Sequence, residues 1–268
     1  MASALVPGRV LGPGPRTCPR PLWPNCVGGE TNPRGARDPP TSGSSVPQMG
    51  RIPRPIYAGA TYHVFPRANI REVIFRDEWD VVPFLARLEE VVQKLEWTCH
   101  LYCVMGTHYH LCVHTPTPSI ARGMHLLNAS YAQRFNRRYC RRGHVFHGPY
   151  GAELVTDDVH LLELSRYIAL NPIRAGLCRR PQEWAWSSYR AMAGFESGPS
   201  WLERSFLLGM FSTDREQAQR LYRGFVEEGL RDAWRAKALS RDQVAGHDQG
   251  PGPRTWPSPR AADVVSPA

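Results

Sequence analysis

Nowhere in these 268 residues is there an apolar run near the roughly 18 that a membrane-spanning helix needs. The first residues also lack the apolar stretch of roughly 7–15 found in a secretory leader. Both absences predict a soluble, intracellular protein of the cytoplasm with no membrane partner. No C-x-x-C pair occurs. The seven cysteines are an odd number, and Cys99, Cys103 and Cys112 fall inside apolar runs, so the cysteines read as reduced core thiols rather than zinc ligands or a disulfide framework. Acidic residues are missing from 119–142, where Arg122, Arg134, Arg137, Arg138, Arg141 and Arg142 stand without an Asp or Glu, so the net charge of +9 is unevenly spread. A cluster of this kind suits a phosphate backbone, with a solvated helix face as the plain alternative; Arg134, Arg137, Arg138, Arg141 and Arg142 are the expected phosphate contacts.

Apolar periodicity is absent from both ends. Residues 1–51 and 237–268 are crowded with Pro, Gly, Arg and Ser and read as disordered tails. Between them the chain parses by period. Thr61 to Phe65 reads as a strand, and Val81, Leu85, Leu88, Val92 and Leu95 recur at three- and four-residue steps, as on an amphipathic helix. Two strands follow, about Trp97 to Met105 and Tyr109 to His114, with Gly106-Thr107 as their turn. A second helix opens near Ser119 as N-cap and carries Ile120, Met124, Leu127, Tyr131 and Phe135 on one face. Ala152 to Val155 is a short fourth strand. Strand, helix, strand, strand, helix, strand is the order of the ferredoxin-like α+β sandwich, a four-stranded antiparallel sheet with helices on one face. A third helix, Val159 to about Leu170, should stop at Asn171-Pro172, because proline disfavours helical geometry in the residue before it. Two more helical patterns, about Leu202 to Phe211 and Arg215 to Glu228, suggest a small C-terminal helical extension. The expected organisation is a main domain over 52–195 and the extension over 196–236.

Chemistry concentrates at two places. His108 and His110 bracket Tyr109 in an apolar run, and on a strand they share one face while Tyr109 points to the other. Two adjacent imidazoles make half of a divalent-metal site, although a lone His-x-His is more often just a half-solvated strand. Tyr167 and Asn171 stand four apart on the third helix, so a phenol and an amide could face that strand if the helix crosses the sheet.

His108-Tyr109-His110, the run from Asn128 to Arg138, the run from Arg166 to Leu177, and Trp184-Ala185-Trp186-Ser187-Ser188-Tyr189 together resemble the REP-associated tyrosine transposases, which are single-tyrosine HUH transposases. The resemblance covers about Ile56 to Phe211. It implies cleavage and rejoining of hairpin-bearing single-stranded DNA through a 5′-phosphotyrosine intermediate. By position it makes Tyr167 the nucleophile and His108, His110 and Asn171 the ligands of Mg²⁺ or Mn²⁺, and it is compatible with a homodimer. Tyr131, in the apolar stripe of the second helix, is the weaker nucleophile candidate.

The chain departs from the family pattern at Gly106-Thr107 before the first histidine, at Ala68 in the Arg67-Ala68-Asn69 turn, and at Gly148-Pro149-Tyr150-Gly151, where relatives carry two more positive charges. Loss of those charges keeps a second reading open: a catalytically decayed hairpin DNA-binding protein of transposase descent. An RNA-binding ferredoxin-like domain is a third, though its sheet would present exposed aromatics where this one presents histidines.

Overall fold

The computed structural model describes residues 56–66 and 72–243, with side chains up to Arg231. The expected N-terminal tail and the 67–69 turn lie outside the described residues; the tail expected from 237 is instead helical as far as Gln243, where the last helix ends, and its remainder lies outside the described residues. Seven elements come first in order: β1 (Ala60–Phe65), α1 (Glu78–Lys94), β2 (Thr98–Val104), β3 (Tyr109–Thr115), α2 (Ile120–Arg138), β4 (Gly151–Val155) and α3 (Asp158–Arg174). The four strands form one antiparallel sheet in the order β2-β3-β1-β4. This is the mixed α+β ferredoxin-like arrangement that the element order predicts.

Side-chain alternation divides the sheet into two different faces. On one face Tyr62, Val64, Tyr109, Leu111 and Val113 share the pairing register and are fully or nearly fully buried. Here α1 and α2 pack, with Phe84 of α1 and Tyr109 at 4.6 Å between ring centroids and Phe84 and Tyr131 of α2 at 5.5 Å. Phe75 stacks on Tyr131 at 4.6 Å. Each such aromatic pair contributes about 1 kcal/mol beyond its buried area. Close approach of α2 needs Gly123, because a Cβ there would lie 2.1 Å from the Trp97 ring. Ser119 does not cap the helix as expected; its hydroxyl accepts from Trp97 Nε1 at 2.8 Å. The other face carries Thr61, His63, His110, Cys112 and His114, and α3 lies against it.

After α3 come a 3₁₀ turn (Pro181–Glu183), α4 (Tyr189–Met192), α5 (Ser205–Gly209) and α6 (Arg215–Gln243). The outer edge of β2 is covered by two segments of this stretch. Val104 N–H donates to Trp186 O at 2.8 Å, Ser188 N–H to Tyr102 O at 2.9 Å, and Glu203 N–H to Cys99 O at 2.8 Å. An edge that would otherwise present unpaired backbone groups is thereby closed. Leu202, Leu207, Leu208, Tyr222 and Val226 are buried in the same core as the sheet. Cys99, Cys103 and Cys112 are buried free thiols, and burial pushes all three up, Cys99 to about 12. Cys140 corrects the expectation that every cysteine is reduced, since it is disulfide-bonded.

Candidate active site

His63 and His110 lie on the two central strands, on the α3 face. His63 pairs with Cys112 across β1 and β3 and with Glu153 across β1 and β4, and directly opposed residues share a face. Both imidazoles are nearly buried, at 6% and 4% exposure. His63 Nε2 lies 3.0 Å from His110 Nδ1, and the Asn171 amide nitrogen lies 2.9 Å from His110 Nε2. On its other side His63 Nδ1 is 3.7 Å from Glu153 Oε2. Burial lowers the His63 pKa against the opposing pull of Glu153. His108 sits just ahead of β3, edge-on to His110 at 5.0 Å between centroids, with Nδ1 3.0 Å from Thr107 Oγ1.

The helix that brings Tyr167 and Asn171 here starts at Asp157, whose side chain accepts from His160 N–H at 2.8 Å. Contrary to the sequence expectation, it does not stop at Asn171-Pro172 but runs to Arg174 with Pro172 inside it. A proline removes one intrahelical donor. The following turn is kept by Ala175 N–H to Asn171 O at 3.0 Å and Leu177 N–H to Pro172 O at 2.9 Å, while Pro172 and Ile173 are buried. Asn171 is therefore held in helical register one turn beyond Tyr167, and the same helix face presents both to His110. The Tyr167 ring stands edge-on to His110 at 5.6 Å and to His63 at 6.1 Å, and is 41% exposed. The Arg174 guanidinium carbon lies 5.1 Å over that ring.

Tyr131 is elsewhere: 3% exposed on the opposite face, its hydroxyl donating to Ile74 O, its pKa pushed far up by burial. The arginines divide as well. Arg138 makes two bonds of 2.6 Å to the Asp77 carboxylate and one of 2.6 Å to buried Asp80, and Arg141 pairs with Glu72. Arg134, Arg137 and Arg142 are exposed. A cavity of ≈ 360 Å³ lies between α2 and 143–150, lined by Met124, Asn128, Phe146 and Tyr150 among others. Asn128 accepts from Tyr109, so this cavity belongs to the face away from the histidines.

Residues 57–171 match the family model described as IS200-like transposase. That segment is similar to the IS200-like transposases. It spans the sheet, α1, α2 and α3 as far as Asn171, and so takes in every residue of the histidine-tyrosine cluster except Arg174. Among solved structures the chain is similar to a REP-associated tyrosine transposase bound to a REP hairpin, at 13% identity over 56% of this chain and 89% of that one, with a TM-score of 0.48. It is also similar to a chain from Deinococcus radiodurans R1 assigned as a transposase, at 18% identity over 45% and 95%, with a TM-score of 0.32. Neither likeness adds to the family match. A comparison with curated proteins finds no match.

The sequence reading missed three neighbours of this IS200-like site. His63 and Glu153 lie 47 and 43 residues from His110 and carry no spacing signal. Arg174 was visible only as part of the run around Asn171.

Proposed function

We propose that this transposase cleaves and rejoins single-stranded, hairpin-bearing DNA, with Tyr167 as nucleophile. The observation that carries the reading is the half-exposed Tyr167 ring set against His110, with Asn171 of the same helix bonded to that histidine. A phenol open to solvent can reach a phosphate; a buried one such as Tyr131 cannot. Attack of the Tyr167 oxygen on phosphorus forms the tyrosyl–phosphate bond, breaks the bond to the 3′ oxygen, and leaves a 5′-phosphotyrosine and a free 3′-hydroxyl. The phosphodiester is conserved, so the 3′-hydroxyl of another strand can reverse the step without an energy source. The Arg174 guanidinium, over the Tyr167 ring, supplies positive charge beside the nucleophile.

Among the described residues no three His, Cys, Asp or Glu converge as a metal site. The donor set suits a divalent ion only if Asn171 turns its amide oxygen toward the imidazoles of His108 and His110, which nitrogen and oxygen ligands of this kind can do for Mg²⁺ or Mn²⁺. Such an ion would offset charge building up on the phosphate. We assign DNA contact to Arg134 and Arg137, and a scaffold role to Arg138 and Arg141, whose charges are already met by Asp77, Asp80 and Glu72. Residues 52–195 carry the chemistry in this reading, and 196–236 support α3 from behind.

The test is a denaturation-resistant protein–DNA adduct. Purified protein is incubated with labelled single strands from the gene's own flanks, with Mg²⁺ or Mn²⁺. An adduct should form, disappear in Tyr167→Phe, and leave hairpin binding intact in that variant. Hairpin binding with no adduct under any condition would instead favour the decayed DNA-binding protein.

A further inference from the structure

Each ring nitrogen of His110 faces a polar partner, and the order of those partners fixes where its proton sits. His110 Nδ1 faces His63 Nε2 at 3.0 Å, so one of the two nitrogens carries the proton between them. The choice is made on the far side of His63. There Nδ1 faces the Glu153 carboxylate at 3.7 Å, and an acceptor at that place calls for a proton on His63 Nδ1. A neutral His63 then has only a lone pair at Nε2. His110 must supply the proton between the rings, which leaves His110 Nε2 bare. The 2.9 Å contact from the Asn171 amide nitrogen fits that outcome, since its N–H donates to a lone pair.

We propose that His63, oriented by Glu153, is a positioning residue that holds His110 as the Nδ1–H tautomer and aims its Nε2 lone pair at the space between Asn171 and Tyr167. The inference rests on the reading of His110 as a metal ligand for its consequence, though not for the tautomer itself. Asn171 N–H meets that lone pair here; a divalent ion held by His110 would take the same lone pair as its ligand, with Asn171 offering its amide oxygen instead. The rigid sheet makes this an effective support. His63 and His110 sit on hydrogen-bonded neighbouring strands and stack at 5.2 Å between centroids, with Phe65 packed on His63 at 4.8 Å. Second shells of this type typically account for about 10–100-fold in metal affinity.

Two side-chain changes separate the hydrogen bond from the packing. Glutamine places an acceptor near the position of Nε2, whereas phenylalanine fills the space and accepts nothing. Long-range proton–nitrogen spectra of the metal-free protein should show His110 protonated on Nδ1 in the unmutated chain and in His63→Gln, and on Nε2 in His63→Phe. Mn²⁺ titration followed by electron paramagnetic resonance should show affinity retained in His63→Gln and reduced about 10–100-fold in His63→Phe. A third variant, Glu153→Lys, alters a largely exposed position and presents a donor to His63 Nδ1 in place of an acceptor. It should reverse the proton order and move the His110 proton to Nε2, even if His63→Phe fails to fold. Protonation of His110 on Nε2 in the unmutated chain, or an unchanged tautomer in Glu153→Lys, would overturn the proposal. Should the unmutated chain show no Mn²⁺ binding at all, the ligand reading of the site fails, and the spectra still decide the tautomer.

Discussion

At the scale of single residues, two tyrosines on two helices are separated by their surroundings more sharply than by their sequence context. Tyr131 is a core residue whose hydroxyl satisfies Ile74 O, so Tyr131→Phe should leave adduct yield unchanged while lowering unfolding free energy by about 1–3 kcal/mol through the orphaned carbonyl. Denaturant unfolding read beside adduct formation checks both halves; a folded Tyr131→Phe that forms no adduct would return the nucleophile to the opposite face. His108→Ala and His110→Ala should each suppress the adduct, because each removes a nitrogen from the face Tyr167 meets. Much of this was legible beforehand: His108 and His110 share a strand face by spacing, and Tyr167 and Asn171 share a helix face by the same logic. His63 was not. A single histidine on an apolar strand has no partner within reach of any local period, and its importance comes from a strand pairing that joins residues 47 apart.

Elements explain why some charges serve the fold and not the ligand. The N-terminus of α1 and the C-terminus of α2 are joined by Arg138, Asp77 and buried Asp80, with Tyr139 donating to Asp80 at 2.8 Å. The run of arginines in the sequence shows none of this, since the carboxylates that neutralise two of them lie 61 and 69 residues away. Salt dependence separates the classes. Arg134→Gln and Arg137→Gln should each lower the slope of log affinity against log salt for single strands by about 0.7. Arg138→Gln should leave the slope alone and lower unfolding free energy by about 3 kcal/mol, because it strands a buried carboxylate. A slope loss in Arg138→Gln equal to that in Arg137→Gln would mean that the clamp opens onto DNA. At β4 the missing charge has a steric cause: a Cβ on Gly151 would lie 2.3 Å from the Phe65 ring, which packs on His63. Gly151→Ala should therefore reduce adduct yield, while exposed Pro149→Arg is tolerated and steepens the salt slope by about 0.7. Equal adduct yields for Gly151→Ala and the unmutated chain would show that Phe65 does not tie β4 to the site. The α3 boundary was misread for a related reason. Proline rules describe the local chain, and here burial of Pro172 and Ile173 carries the helix past its expected stop.

Across the whole molecule, the order of periods was enough to give the sheet and its two packed helices, because alternation and 3.6-residue spacing are local signals. The cover over the β2 edge was not legible, since Trp186, Ser188 and Glu203 reach it as irregular backbone without any period. That cover also buries a third histidine. His100 is 7% exposed, 3.2 Å from Glu203, and burial lowers its pKa from the ordinary 6.5, as it does for His63, against the pull of the neighbouring carboxylate in each case. The consequence has a definite sign. Both groups bind a proton less readily folded than unfolded, so in the window between their folded pKa values and 6.5 the unfolded chain holds more protons. Above 6.5 the contribution to stability is complete, and it is lost as pH falls through that window. Denaturant midpoints measured stepwise from above 6.5 downward should decline, and His100→Gln should flatten part of the decline because one of the two groups no longer titrates. Stability that instead rises on acidification below 6.5 would mean that Glu203 and Glu153 outweigh burial and hold both imidazoles charged. Such a result would also place a positive His63 against His110, and the proton order assigned between them would have to be reversed.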